Sequence, residues 1–129
     1  MKTHQALTLK KHLSRLAEMD QKTPLELSGA VRLRIASALR RCESAEADFE
    51  KVRVSLVRAK GKADAEGNYN IERGTASFSE FVAAIDDALG AEAEGMPSVV
   101  FTEDELKIEK NRIPIEVLQG LISVGALKE

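Results

Sequence analysis

Apolar residues at Val31, Ile35, Ala38, Cys42, Ala45, Phe49, Val52, Leu56 and Ala59 recur at alternating spacings of four and three. That period gathers side chains on one face of a helix, and it predicts one long helix over residues 23–61. Thr23-Pro24-Leu25-Glu26 reads as its start: a Thr cap, a Pro at the first helical position and a Glu completing a capping box. Gly61 reads as its stop, because a left-handed residue after a helix favours a side chain without Cβ. Upstream, Ala6, Leu9, Leu13 and Leu16 predict a first helix over residues 3–19. The short polar link Asp20-Gln21-Lys22-Thr23 makes these two helices antiparallel neighbours. A helix of about 17 residues reaches about 25 Å, whereas one of about 37 reaches about 55 Å. The first helix therefore covers only half of the seam, and Phe49, Val52 and Leu56 need another cover.

The next segment offers one. Phe78, Phe81, Val82, Ile85, Ala88 and Leu89 form an apolar stripe between a capping-box pattern, Ser77-Phe78-Ser79-Glu80, and a stop at Gly90. Gly67-Asn68 between the helices is turn chemistry, with Tyr69-Asn70-Ile71 as a short extended piece beside it. Residues 90–97 read as a hinge. Beyond it, Ser98-Val99-Val100-Phe101 predicts a short strand and Thr102-Glu103-Asp104-Glu105 a helical turn. Pro114 restarts a helix with Val117, Leu118, Leu121 and Ile122 on one face, ending near Gly125, with Gly120 an unfavourable residue inside it. The expected architecture is mainly α: an antiparallel helical hairpin with one long helix, a third amphipathic helix, and a small C-terminal lobe of short strands and a helix. Residues 1–90 and 91–129 are the expected division, within what is otherwise a single domain of 129 residues.

The long helix is apolar on a second side as well, where Leu33, Val54 and Val57 lie. A helix apolar on two faces is buried on two faces. The second cover is either the C-terminal lobe or another protein, which makes these three residues a candidate protein interface.

Composition changes this picture little. Aromatics are 4% of the chain, without Trp, so the core is built from Leu, Val, Ile and Ala. No run approaches a membrane span, no signal-type apolar block opens the chain, and the lone Cys42 gives neither a disulfide nor metal-ligand spacing. A cytosolic protein is expected, with no cofactor. Charge is more informative. Residues 1–62 hold 14 Lys and Arg against 7 Asp and Glu, a balance of +7. Residues 63–129 hold 5 against 14, a balance of −9. Such asymmetry suits attraction between the two parts or between subunits, a nucleic-acid surface, or an acidic decoy.

The residues for chemistry are sparse. His4 and His12 are two turns apart on one helix and do not converge on a metal or substrate, so both are expected to be solvated. Cys42 occupies a seam position and reads as a small buried apolar residue. Asp86-Asp87 lies on the outer face of an amphipathic helix, and no phosphate loop, paired CxxC or HExxH occurs. Catalysis is not expected. A basic surface is available from Lys10, Lys11, Arg15, Arg32, Arg34, Arg40, Arg41, Arg53 and Arg58, but Glu43, Glu46, Asp48 and Glu50 interrupt it and no aromatics interleave for base stacking.

The order of elements resembles a family of small phage and prophage proteins of unknown function. Gly67-Asn68-Tyr69-Asn70-Ile71, the stripe from Phe78 to Leu89, and Ile113-Pro114-Ile115-Glu116-Val117-Leu118 carry the resemblance, and the Ala/Glu-rich linker over residues 90–97 departs from it. The resemblance implies a phage origin and no known activity. The expected function is non-enzymatic: an oligomeric accessory or assembly protein binding itself, a host protein or a phage protein in the cytoplasm of an infected bacterium or in the virion. Two other readings compete. One is an inhibitor of a host defence nuclease or polymerase acting through the acidic surface of Asp86, Asp87, Glu92 and Glu94. The other is nucleic-acid binding through the basic hairpin.

Overall fold

The computed structural model describes residues 1–96 and 100–128 and is mainly helical. Helix α1 (Thr3–Lys22) and helix α2 (Gly29–Lys60) form the antiparallel hairpin. A two-residue antiparallel ladder of β1 (Lys62–Ala63) and β2 (Tyr69–Asn70) leads into α3 (Ala76–Gly90). The C-terminal segment holds β3 (Phe101–Thr102), two single-turn helices, α4 (Glu103–Leu106) and α5 (Ile108–Asn111), then α6 (Ile115–Ser123) and β4 (Leu127–Lys128). Strands β3 and β4 pair in parallel, Phe101 opposite Leu127. The strand expected over residues 98–101 is described only at its end, since residues 98 and 99 lie outside the described residues.

Helix α2 starts at Ser28, whose Oγ accepts from the Val31 N–H at 3.1 Å, and not at Thr23. Thr23 instead closes α1, its N–H donating to the Met19 carbonyl. The intervening residues are held extended by a clamp that local capping signals do not reveal. Arg32 donates to both carboxylate oxygens of Asp20 at 3.0 Å and to the Leu25 and Leu27 carbonyls at 2.6 Å. Asp20 also accepts from the Leu25 N–H at 2.8 Å. The Arg32 guanidinium, then that backbone bond, hold the Asp20 carboxyl below the usual carboxylate range. From the other side the buried Asn111 accepts from the Glu26 N–H at 2.7 Å and donates to the Glu26 and Leu106 carbonyls. So held, Leu27 reaches the core, 8% exposed.

The third helix lies where the length argument requires it. Lys60 near the end of α2 pairs with Glu80 near the start of α3 at 3.0 Å. At the other end of α3, the Thr3 N–H and Oγ1 both donate to the Ala91 carbonyl, at 2.8 and 3.0 Å, and the Ala93 N–H donates to Met1. Helices α3 and α1 thus follow one another along α2, stitched where the hinge was expected. The cap of α3 is Thr75, whose Oγ1 accepts from the Phe78 N–H; Ser77 is inside the helix.

Two glycines have reasons other than those the sequence suggests. Gly61 has φ −95°, an ordinary extended conformation, so no left-handed stop is involved. It is glycine because a Cβ there would stand 2.6 Å from the Val57 carbonyl oxygen and 2.8 Å from that of Asn70, where the β1–β2 ladder folds back on the helix. Gly120 sits inside α6 because a Cβ would fall 2.0 Å from Nε2 of His12. His12 is therefore packed between helices and not freely solvated, and burial, ahead of the neighbouring Lys11 and Arg15, lowers its pKa.

One core joins the segments. Leu9, Leu13 and Leu16 of α1 and Val31, Ile35, Ala38 and Cys42 of α2 cluster with Phe101, Leu106, Ile113, Val117, Leu121 and Leu127. The C-terminal residues form a third layer over the proximal half of the hairpin. Arg34 ties that layer down: it pairs with Glu105 at 2.8 Å, donates to the Val100 carbonyl and lies 5.6 Å over the Phe101 ring. The helical turn expected at Thr102-Glu103-Asp104-Glu105 is α4, and Thr102 and Glu105 close a capping box at its start.

The approach of α1 to α6 yields a coupled prediction. Gly120→Ala should destabilise the protein by about 1–3 kcal/mol through overpacking against the imidazole. In a His12→Ala background the same change should be neutral or stabilising by up to about 1 kcal/mol, the intrinsic helix preference of Ala over Gly. Urea denaturation of the four proteins measures this. Equal effects in both backgrounds would separate Gly120 from His12.

Candidate protein interface

Burial divides the molecule sharply. Every buried residue of α2 lies between Val31 and Ala45, and α3 has none. From residue 46 to residue 96 no residue is buried. This span is nevertheless rich in large apolar side chains: Phe49, Leu56, Phe78, Phe81, Ile85 and Leu89 are half-buried, while Val52 and Val82 are 44% and 39% exposed. The physical reason is the number of layers. The proximal half of α2 is covered by α1 and the C-terminal segment, whereas the distal half has only α3 and the two-residue strands. Two helices in contact leave each other's flanks in water. The span 46–96 is an arm with an incomplete core.

Two surfaces stand out on it. Where α1 gives way to α3, a cleft of about 280 Å³ opens, floored by Ala45, Phe49, Val52 and Ala88 and rimmed by Asp48, Glu92 and Glu94. On another side of α2, Ala47, Val54 and Ser55 form a shallow stripe between Lys51, Arg58 and Glu50. The hairpin tip at Gly67, Asn68 and Tyr69 lines a further recess with Arg53, Val54 and Val57. There Gly67 has φ +84°, and Asp64 accepts from the Glu66 and Asn68 N–H groups, the turn expected of Gly67-Asn68.

The candidate interface residues thus have different surroundings. Val54 and Val57 are half-buried beside the hairpin tip, not beneath the C-terminal segment. Leu33, at 72% exposed, stands alone at the other end of α2 as the most exposed large apolar residue described. The cleft was not legible in the sequence, because its rim comes from residues 92 and 94, which are brought to α2 by the stitch to α1.

The candidate basic surface is largely committed within the fold. Lys10 pairs with Glu46 at 2.6 Å, Arg15 with Glu116 at 3.0 Å, Arg32 with Asp20, Arg34 with Glu105 and Arg53 with Glu50. The hydrogen bond to Glu46 is the chief cause that raises the Lys10 pKa. Arg41 donates to the Gly95 carbonyl at 2.8 Å. Lys11, Arg40 and Arg58 have no ion-pair partner among the described residues. Of the candidate acidic residues, Glu92 pairs with the Met1 amino group at 3.0 Å, while Asp86, Asp87 and Glu94 are exposed.

Groups suited to covalent or metal chemistry do not gather. Cys42 is buried, and desolvation pushes its thiol up to about 11, so it is protonated at neutral pH. His4 is exposed and His12 faces Gly120. Among the described residues no three His, Cys, Asp or Glu side chains are placed to hold a metal ion, and no helix is long and apolar enough to cross a membrane. Comparison with protein-family models, curated proteins and solved structures finds no match.

The layer argument predicts uneven protection. Amides of α3 and of residues 46–60 should exchange with solvent through openings of lower free energy than those of residues 9–16 and 31–42. Native-state hydrogen exchange measures both groups together. Equal protection would mean that the arm is as closed as the core.

Proposed function

We propose that the chain is a non-enzymatic protein-interaction protein, of the phage accessory or assembly kind, which binds through the arm of residues 46–96. The observation that carries this reading is an amphipathic α3 of fifteen residues with none of them buried. Large apolar side chains held at half-burial gain stability when a further layer closes over them, at roughly 25 cal/mol per Å² of apolar area removed from water. A partner supplies that layer. The cytoplasm of an infected bacterium is the proposed setting, following the resemblance carried by the Gly67–Ile71 turn.

The basic surface favours this reading over nucleic-acid binding. Five of its nine residues are in ion pairs and Arg41 is bonded to backbone, so two thirds of its charge is already engaged within the fold. The acidic decoy reading keeps Asp86, Asp87 and Glu94, three exposed carboxylates, few against the row of charges in a phosphate backbone.

Two measurements check these conclusions. Affinity capture from bacterial lysate should recover a specific protein, a further copy included, that Val52→Glu and Val82→Glu both reduce at least tenfold while Ile115→Glu, at an exposed position of α6, does not. Capture indifferent to the two arm changes would overturn the reading. With contacts only from Lys11, Arg40 and Arg58, the members of the candidate basic surface unpaired among the described residues, duplex DNA affinity should fall with salt along a log–log slope no steeper than about −3, at about −0.9 each. A slope near −6 would return the basic hairpin to nucleic acid.

A further inference from the structure

We propose that the occupant of the arm is a second copy of the chain, docked head to tail, with the acid-rimmed cleft of one copy taking the basic-rimmed stripe on α2 of the next. The proposal rests on reading the arm as a protein-binding surface, and it names the partner.

The two surfaces are complementary in sign, and both are apolar at the centre. The cleft offers an apolar floor of Phe49, Val52 and Ala88 with Asp48 and Glu94 at its rim. Its third carboxylate, Glu92, is already engaged by the Met1 amino group. The stripe offers the apolar Ala47 and Val54 between Lys51 and Arg58 along one face of α2. Neither cation has an ion-pair partner among the described residues, and Glu50, the stripe's one acid, is neutralised by Arg53. An apolar helix face seated in a groove is a recurrent recognition mode, and opposite charges at the rim speed encounter and fix register.

Geometry sets the symmetry. Val52 and Val54 are two positions apart, about 200° around the helix axis. The cleft and the stripe therefore face different directions, and one neighbour does not fill both. Joining unlike patches gives a heterologous contact, which grows into a closed ring or an open filament. A two-fold pairing of like with like would instead set cleft against cleft, carboxylates facing carboxylates.

Sedimentation of the full chain tests this with two lesions, made at three exposed residues. Val52→Glu spoils the cleft; Lys51→Glu with Arg58→Glu spoils the stripe. The wild-type mass should rise with concentration beyond a dimer, and 1 M salt should weaken this growth. Each variant alone should remain a monomer. An equimolar mixture of the two should form a 1:1 dimer and no larger species, because each keeps the face the other has lost. Ala88→Glu supplies the same cleft lesion from α3 if circular dichroism shows Val52→Glu to be unfolded. A wild type that is monomeric at all concentrations overturns the proposal, as does a mixture of folded variants that fails to pair. If the protein is monomeric but the arm variants still abolish capture from lysate, the self-docking is wrong and the interaction reading stands. If capture is also indifferent, both are wrong.

Discussion

The length of α2 is the constraint on which the rest of the molecule depends. Its 32 residues extend about 48 Å, and no other helix matches it. The 20 residues of α1 and the 15 of α3 extend about 30 and 22 Å, so only the two in succession cover it. That demand explains why the start of the chain is bonded to the linker after α3: Thr3 and Ala91 meet where one cover ends and the other begins. It also places the boundary of the core. Burial on α2 stops at Ala45, beside that joint, because the C-terminal segment thickens only the α1 side. Half of the rod has three layers and half has two.

Charge is used in the same way along the rod. Arg32, Arg34 and Lys10 look alike in sequence, as cations on a polar helix face, yet each holds a different neighbour to its helix: the loop after α1, the C-terminal layer, and α1 against α2. Arg32 and Arg34 also satisfy backbone carbonyls, which a surface salt bridge alone does not do. Part of the positive charge of the first half is thus an internal fastening system. Among the cations without an ion-pair partner among the described residues, Lys51 and Arg58 lie on the distal part of α2, next to the apolar surface that is short of a layer.

Much of this fold was legible because periodicity is local. The four–three rhythm located α1, α2, α3 and α6, the helix lengths required α3 to continue the cover, and Thr102 with Glu105 marked the start of α4. The α3 cap moved two residues, from Ser77 to Thr75, by a local choice, but the other misplacements share one cause: local chemistry was overruled by a distant group. Thr23 and Ser28 are both adequate caps, and the choice was made by Arg32, Asp20 and Asn111 acting on the loop between them. Gly61 and Gly120 looked like conformational punctuation, whereas each marks a close approach, to Asn70 and to His12, by a segment remote in sequence. For the candidate interface, the apolar second face of α2 was visible, but periodicity does not say which of its residues gain a cover. The hairpin reached Val54 and Val57 while Leu33 was left in water.

The pairing of Phe101 with Leu127 has a consequence for how the protein is made. The apolar seam between α1 and α2 emerges from the ribosome early, yet its third layer is not locked until β4 exists to bind β3 and bring Leu121 and Leu127 into the cluster. Until then the nascent hairpin carries Leu9, Leu13 and Ile35 with one side unsheltered, a state prone to unwanted sticking. Its completion relies on contacts between segments almost a hundred residues apart, which form slowly because a long loop must close first. The closing of β4 on β3 is therefore the step that turns an adhesive intermediate into a packed core, and a chain held short of it stays in its most aggregation-prone form.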